Sequence, residues 1–271
     1  MNAPLHEDSP HVPAELALMA FDMEKFSQIP EAKMAAARCD VDDIVASSLA
    51  TCRLPDLRDL PGHYKDSGDG AILVFPPSTL ALLVDPLLDL LNAALVRHER
   101  RRRKDSPVLR LRASVHVGPL SLPDHRGDAI NDVTRLLDCK ATREALSAAK
   151  DNCGFLAAAI SELAYRRTVH AGRTPGLGPH HFLEAVARVS DKPGFEQPCR
   201  IHVPGLTGPA VRPYTTDATA PDLASSSTAQ PRHGATSPST GRGGTFNFHS
   251  QVSDPTIISE VQNLRIDRRT Q

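Results

Sequence analysis

The sequence predicts an α+β sandwich, an antiparallel-rich sheet with helices packed on it. Three observations lead there. Apolar runs at 16–21 and 71–75, and an alternating one at 109–117, have the length and pattern of strands. The stretches 30–52 and 78–104 instead repeat their apolar residues at helical intervals. Between them, Tyr64-Lys65-Asp66-Ser67-Gly68-Asp69-Gly70 has the composition of a hairpin tip, with Gly68 free to take the positive φ of a tight turn. The resulting order is strand, helix, hairpin, helix, strand, helix, strand.

Residues 1–13 are polar, carry three prolines and read as a flexible N-terminus. Leu16-Ala17-Leu18-Met19-Ala20-Phe21 reads as a buried strand ending on Asp22. Residues 30–52 are Ala-rich, with Ile44, Val45, Leu49 and Ala50 on one face. The hairpin follows, then the buried strand Ala71-Ile72-Leu73-Val74-Phe75. Taken by itself, the turn is either a solvated polar tip or a scaffold holding Asp69 toward a metal or ligand. In 78–104, Pro86 is expected to kink the helix or divide it in two. The basic run Arg97 to Lys104 is read as a solvated helix C-terminus, which suits the helix dipole, in preference to a phosphate patch.

Leu109, Leu111, Ala113, Val115 and Val117 alternate with polar residues, the pattern of a half-buried strand. His116 is expected to face outward or to make a structural hydrogen bond rather than act in catalysis. A loop from Ser121 to Gly127 leads to a helix with Asp128 as its expected N-cap. Ile130, Val133 and Leu137 form its packing face, with Asn131, Arg135 and Asp138 opposite. A short strand and helix are expected within 153–169, and Phe182–Val189 and Pro198–Pro204 close the domain. Asp22 and Asp69 both fall at strand ends, so they are expected to be neighbours across the sheet.

Residues 205–243 are rich in Pro, Ser, Thr, Gly and Ala and read as a flexible linker. Residues 244–271 recover apolar content, including Phe246, Phe248, Ile257 and Ile258, and are expected to dock on a protein partner. The domain is thus placed at 14–204.

Composition narrows the function. Net charge is −1, aromatics are 4% and Trp is absent, which argues against a nucleic-acid platform. Five cysteines with no CxxC spacing point to a reduced, cytoplasmic protein without a disulfide framework. The N-terminal residues lack the basic and apolar regions of a signal peptide, and no apolar run approaches the ~20 residues that span a bilayer.

Four motifs in order resemble the class III nucleotidyl cyclase catalytic domain over about residues 15–204. They are Phe21-Asp22-Met23-Glu24-Lys25-Phe26-Ser27, Lys65-Asp66-Ser67-Gly68-Asp69, Ser114-Val115-His116-Val117-Gly118-Pro119, and Asp124 through Asn131 to Arg135. The resemblance implies a ferredoxin-like sandwich with Asp22 and Asp69 holding two Mg²⁺ or Mn²⁺ ions per site. It implies that Asn131 orients the ribose, Arg135 stabilises the α-phosphate, and Lys65 and Asp124 read the base. An ammonium and a carboxylate match N1 and the amine of adenine and mispair with guanine, so ATP is favoured over GTP. It further implies an obligate homodimer, with metal aspartates from one chain and the other groups from its partner. Lys25 stands where the family usually has Gly, and Asp132 where it has an apolar residue. Lys192 is the nearest candidate for the terminal phosphates. Beside an active cyclase stand two other readings: a cyclase-homology module that senses nucleotide without catalysis, and an interaction protein working through its tail.

Overall fold

A computed structural model describes residues 12–190, 192 and 194–219. Residues 1–11 and 220–271, including the expected partner-binding segment and most of the expected linker, lie outside the described residues. Seven strands form one sheet in the order β2-β3-β1-β4-β5-β7-β6. They are β1 (Glu15–Met23), β2 (Tyr64–Asp66), β3 (Gly70–Phe75), β4 (Leu111–Pro119), β5 (Leu156–Ser161), β6 (Phe182–Arg188) and β7 (Glu196–His202). Every neighbouring pair is antiparallel except β4 with β5. The α+β architecture expected from the sequence is the one observed.

Side chains alternate across the sheet, and each face has its own helices. On one face, Met19 and Phe21 of β1 pack with Val41 and Ile44 of α1 (Glu31–Thr51) and Leu87 and Leu91 of α3 (Leu87–Arg101). Pro86 divides the second helical stretch as its chemistry requires. α2 (Leu80–Val84) ends two residues before α3 begins, and the pair is bent by 45°. Among the described residues no single helix is long and apolar enough to cross a membrane.

On the other face, Leu18 and Ala20 of β1 and Ile72 and Val74 of β3 meet Ala129, Val133 and Leu137 of α4 (Asp128–Asp138). The Ser114 hydroxyl donates to the Val133 carbonyl at 2.7 Å, pinning α4 to β4. This covering corrects the expectation of a half-buried β4. Ser114 is fully buried and His116 is 6% exposed, so the polar side of the strand faces α4, not water. His116 therefore does not point outward; its Nε2 lies 4.0 Å from Asp132.

The N-cap of α4 also differs from expectation. Gly127 holds it at φ 142°, and Asp128 is the first helical residue. A Cβ on Gly127 would approach the Pro119 carbonyl oxygen to 2.8 Å, so the cap is set by close backbone approach. On the packing face Ile130 is only half-buried, while Ala129 and Leu136 join Val133 and Leu137 inside.

A helix not anticipated in the sequence, α5 (Lys140–Asp151), packs Ala145, Leu146 and Ala149 on Ala157 and Ala159 of β5 and Ile201 of β7. α6 (Glu162–Arg167) follows β5, with the Ser161 hydroxyl capping it through the Ala164 N–H.

The packed chain does not stop at Pro204. Residues 205–219, expected as linker, turn through α7 (Gly208–Val211) and return along β6. The Val186 N–H donates to the Asp217 carbonyl at 3.1 Å, and the Thr219 N–H to the Glu184 carbonyl at 3.0 Å. Val211 is fully buried with Leu183 and Ile201. The one large apolar residue in α7 anchors a segment whose Pro, Gly and Thr content reads as loop.

Candidate functional site

The β1–β3 ladder brings Asp22 and Asp69 to one place. Asp22 is opposite Gly70, and the Met23 N–H donates to the Asp69 carbonyl at 3.0 Å. A Cβ on Gly70 would lie 1.8 Å from the Phe21 carbonyl oxygen, so only glycine lets the strands close here. The turn is held by the Gly68 N–H donating to Asp66 Oδ1 at 2.7 Å, with Gly68 at φ 89°. Asp69, half-buried, lines a cleft of about 460 Å³ together with Lys25, Ser27, Ser67 and Arg112.

Asp22 is 6% exposed, and both of its oxygens accept from Arg112 of β4, Nε at 2.9 Å and Nη2 at 2.5 Å. Burial pushes its carboxyl up to about 6; the Arg112 guanidinium opposes the rise, and the charges of Asp69 and Asp138 add to it. Among the described residues no group of three or more His, Cys, Asp or Glu converges on one point. The donor set nevertheless fits Mg²⁺ or Mn²⁺. Such hard ions take one or two carboxylates and complete their shell with water and substrate phosphate. The two Arg112 bonds leave lone pairs on both Asp22 oxygens.

Lys25 sits at this cleft in the left-handed region, φ 57° and ψ 30°, before a turn of 3₁₀ helix, Phe26–Gln28. Glycine takes that conformation freely and lysine at a cost. The backbone geometry thus gives a physical reason for glycine at this position and marks Lys25 as a deviation that adds a cation to the cleft.

Lys65 and Asp124 share a different edge of the same face. The loop 121–126 closes on itself through Ser121 and Arg126, which exchange backbone bonds at 2.8 and 3.1 Å. It rests on the turn into β2, where a Cβ on Gly62 would lie 2.9 Å from Pro123 Cα. His125, at φ 56°, feels the charges of both predicted base readers. Burial lowers its pKa, the Lys65 charge lowers it further, and Asp124 opposes. Both Lys65 and Asp124 are exposed, and Asp124 pairs with Arg126 at 3.3 Å rather than with Lys65.

Asn131 and Arg135 lie one turn apart on α4, Asn131 exposed and Arg135 half-buried. They do not pair with each other. Arg135 is 3.6 Å from Asp132 and stacks over Phe195 at 4.9 Å. Its Nε is buried without a partner among the described residues. Lys192 lines a recess of about 280 Å³ with Arg135, so the candidate terminal-phosphate lysine and the candidate transition-state arginine meet at one concavity.

Sequence reasoning missed Arg112 and Arg143. Arg112 is an alternating polar residue in a strand, and its partner Asp22 is 90 residues away, beyond any local pattern. Arg143 lines the recess of Arg135 from α5, the helix that went unread.

No protein-family model matches the chain, and no curated protein matches it. Among solved structures it is similar to an adenylate/guanylate cyclase/hydrolase from Silicibacter pomeroyi, at 18% identity and TM-score 0.46, covering 71% of this chain and 98% of that one. It is also similar to a double mutant of the guanylyl cyclase domain of the RhoGC fusion protein from the aquatic fungus Blastocladiella emersonii, at 13% identity and TM-score 0.43, covering 70% and 95%. A bacterial light-regulated adenylyl cyclase matches at 12% identity and TM-score 0.44, covering 70% and 90%. These neighbours are adenylate or guanylate cyclase structures, the family that the four motifs resemble.

Proposed function

We propose that two copies of this chain form a nucleotidyl cyclase that converts ATP to 3′,5′-cyclic AMP and pyrophosphate. The observation that carries the reading is that the β1–β3 ladder sets Asp22 beside Asp69, which lines the cleft with Arg112, while the loop bearing Asp124 leaves the sheet at a distance. Asp22 pairs with Arg112 near one end of the β1–β4 ladder, while the loop bearing Asp124 leaves the other end, after Pro119 opposite Glu15. Those ends are roughly 23 Å apart at about 3.3 Å per residue. A two-fold dimer would complete each site by facing the cleft of one chain with the edge and α4 of its partner.

In that site, the ribose O3′ attacks the α-phosphorus in line. The O3′–P bond forms as the bond to the bridging oxygen breaks; pyrophosphate leaves with the electron pair and the 3′ proton passes to solvent. Mg²⁺ or Mn²⁺ held by Asp22 and Asp69 would neutralise the phosphates and acidify the 3′-hydroxyl. The Asn131 amide would hold the ribose in the attacking orientation. The Arg135 guanidinium would donate to the α-phosphate oxygens as their charge grows. The Lys65 ammonium would donate to adenine N1, and Asp124 would accept from its amine.

A second reading, a homology module that binds nucleotide without turning it over, draws on two observations. Arg112 already occupies Asp22, and Lys25 stands in the cleft. Incubation with each of the four nucleoside triphosphates and Mn²⁺, with products resolved by mass spectrometry, separates the readings. Cyclic AMP from ATP is expected; no cyclic product from any of the four would defeat the enzyme reading.

A further inference from the structure

The recess beside α4 holds more positive charge than the motif residues account for. Arg135 and Lys192 line it, and so does Arg143, which α5 delivers one turn after its start. Among the described lining residues, three cations face a single carboxylate, Asp138. That carboxylate is shared: Arg143 Nη2 lies 3.1 Å from Asp138 Oδ1, and Arg112 Nη1 lies 4.0 Å from the same oxygen. The Arg143 side chain keeps about half of its surface in solvent, so its guanidinium is held at the rim, not locked in the core. Ser190 adds a hydroxyl to the recess, whereas the Thr134 hydroxyl there already donates to the Ile130 carbonyl at 2.8 Å. Its volume, about 280 Å³, has room for a condensed phosphate.

A concave site with net positive charge and forked donors selects a multiply charged oxyanion. We propose that Arg143, a residue outside the motif set, is a further binding residue at this recess for the polyphosphate end of the nucleotide and for the pyrophosphate left after reaction. Asp138 is its gate: it holds Arg143 in the free protein and competes with the incoming phosphate for it. The proposal rests on the cyclase reading for the identity of the substrate, but the oxyanion site stands on the recess itself. On this proposal α5 has a part in binding. Its Ala-rich face fixes it on β5 and β7, and its exposed face brings a cation to a site that α4 alone leaves with one.

Calorimetric titration with inorganic tripolyphosphate, in the absence of nucleotide, tests it on the full chain. Arg143→Ala should weaken tripolyphosphate binding on the order of tenfold, the scale of one charge-assisted contact. Asp138→Asn should strengthen it severalfold, a gain that loss of folding cannot mimic. Arg166→Ala, an exposed arginine on α6 paired with Glu162, should leave it unchanged. In the turnover assay Arg143→Ala should raise KM for ATP and weaken product inhibition by pyrophosphate. Tripolyphosphate affinity that is unmoved by Arg143→Ala, or that falls with Asp138→Asn, would overturn the proposal even if cyclic AMP is made. Tripolyphosphate binding with these shifts but no cyclic product would sink the cyclase reading and leave the oxyanion site standing.

Discussion

Replacing Arg112 by methionine removes the one positive charge among the described residues that pairs with Asp22, a carboxylate 6% exposed. In the native chain Asp22 is already pushed up to about 6 by burial, with Arg112 as the main opposing influence. Without the guanidinium the carboxylate must either stay charged in a poorly solvated place or take up a proton. Breaking a buried pair by removing one partner costs about 3–5 kcal/mol. That is a large share of the roughly 5–15 kcal/mol available to a domain. Urea unfolding at neutral pH reads it directly. The double variant Asp22→Asn with Arg112→Met removes both charges and should recover most of the loss, because the cost lies in the orphaned charge. A single variant within about 1 kcal/mol of wild type, or a double variant no more stable than Arg112→Met alone, would refute the pairing.

Three further outcomes are expected. Lys25→Gly relieves a left-handed residue, a gain of about 1–2 kcal/mol. It also loosens the unfolded chain by about 0.5–1 kcal/mol, so urea midpoints should be unchanged or slightly raised, while turnover with Mn²⁺ rises if the side chain crowds the cleft. His116 has its pKa lowered by burial, against the pull of Asp132. The unfolded chain therefore takes up that proton first, and the stability His116 contributes is full above 6.5 and lost as pH falls below it, by up to about 1.4 kcal/mol per pH unit. His116→Asn should flatten this acid limb in urea unfolding measured across pH 5–7.5. Ending the chain after Pro204 removes Val211 from the core, at about 1.5–3 kcal/mol for a valine of this burial. Ending it after Thr219 keeps that anchor and should melt higher than ending it after Pro204, and equal melting of the two truncations would contradict the packing of residues 205–219.

Much of the fold was legible because its signals are local. The apolar runs of β1 and β3, the Ser67-Gly68 turn, the Pro86 break and the polar–apolar split of α4 each lie within a dozen residues. Alanine carries α5, and Ala141, Ala145, Ala148 and Ala149 do recur at helical spacing; their small side chains give a weak hydrophobic signal, yet they suit close packing on the Ala-rich β5. Residues 205–219 were misjudged because one buried valine and two backbone bonds to β6 anchor a segment of loop composition. In the site, the Asp22–Asp69 proximity followed from strand ends, whereas the Arg112–Asp22 bond depends on the β1–β4 register, which no local pattern encodes. His116 illustrates the same limit. Alternation marks it as polar, and only the placement of α4 over β4 makes it buried.

The account stands or falls on a site completed by two chains. Lys65 and Asp69 are four residues apart in sequence, yet in a two-fold dimer they would serve different sites. Chains carrying Lys65→Ala and chains carrying Asp69→Asn should each be inactive alone, with dimers intact. Mixed in equal amounts and allowed to exchange, they should regain roughly a quarter of wild-type cyclic AMP formation, since half the dimers are mixed and each mixed dimer has one intact site. Mixed dimers, demonstrated by mass, that form no cyclic AMP while the wild type does would contradict the shared site.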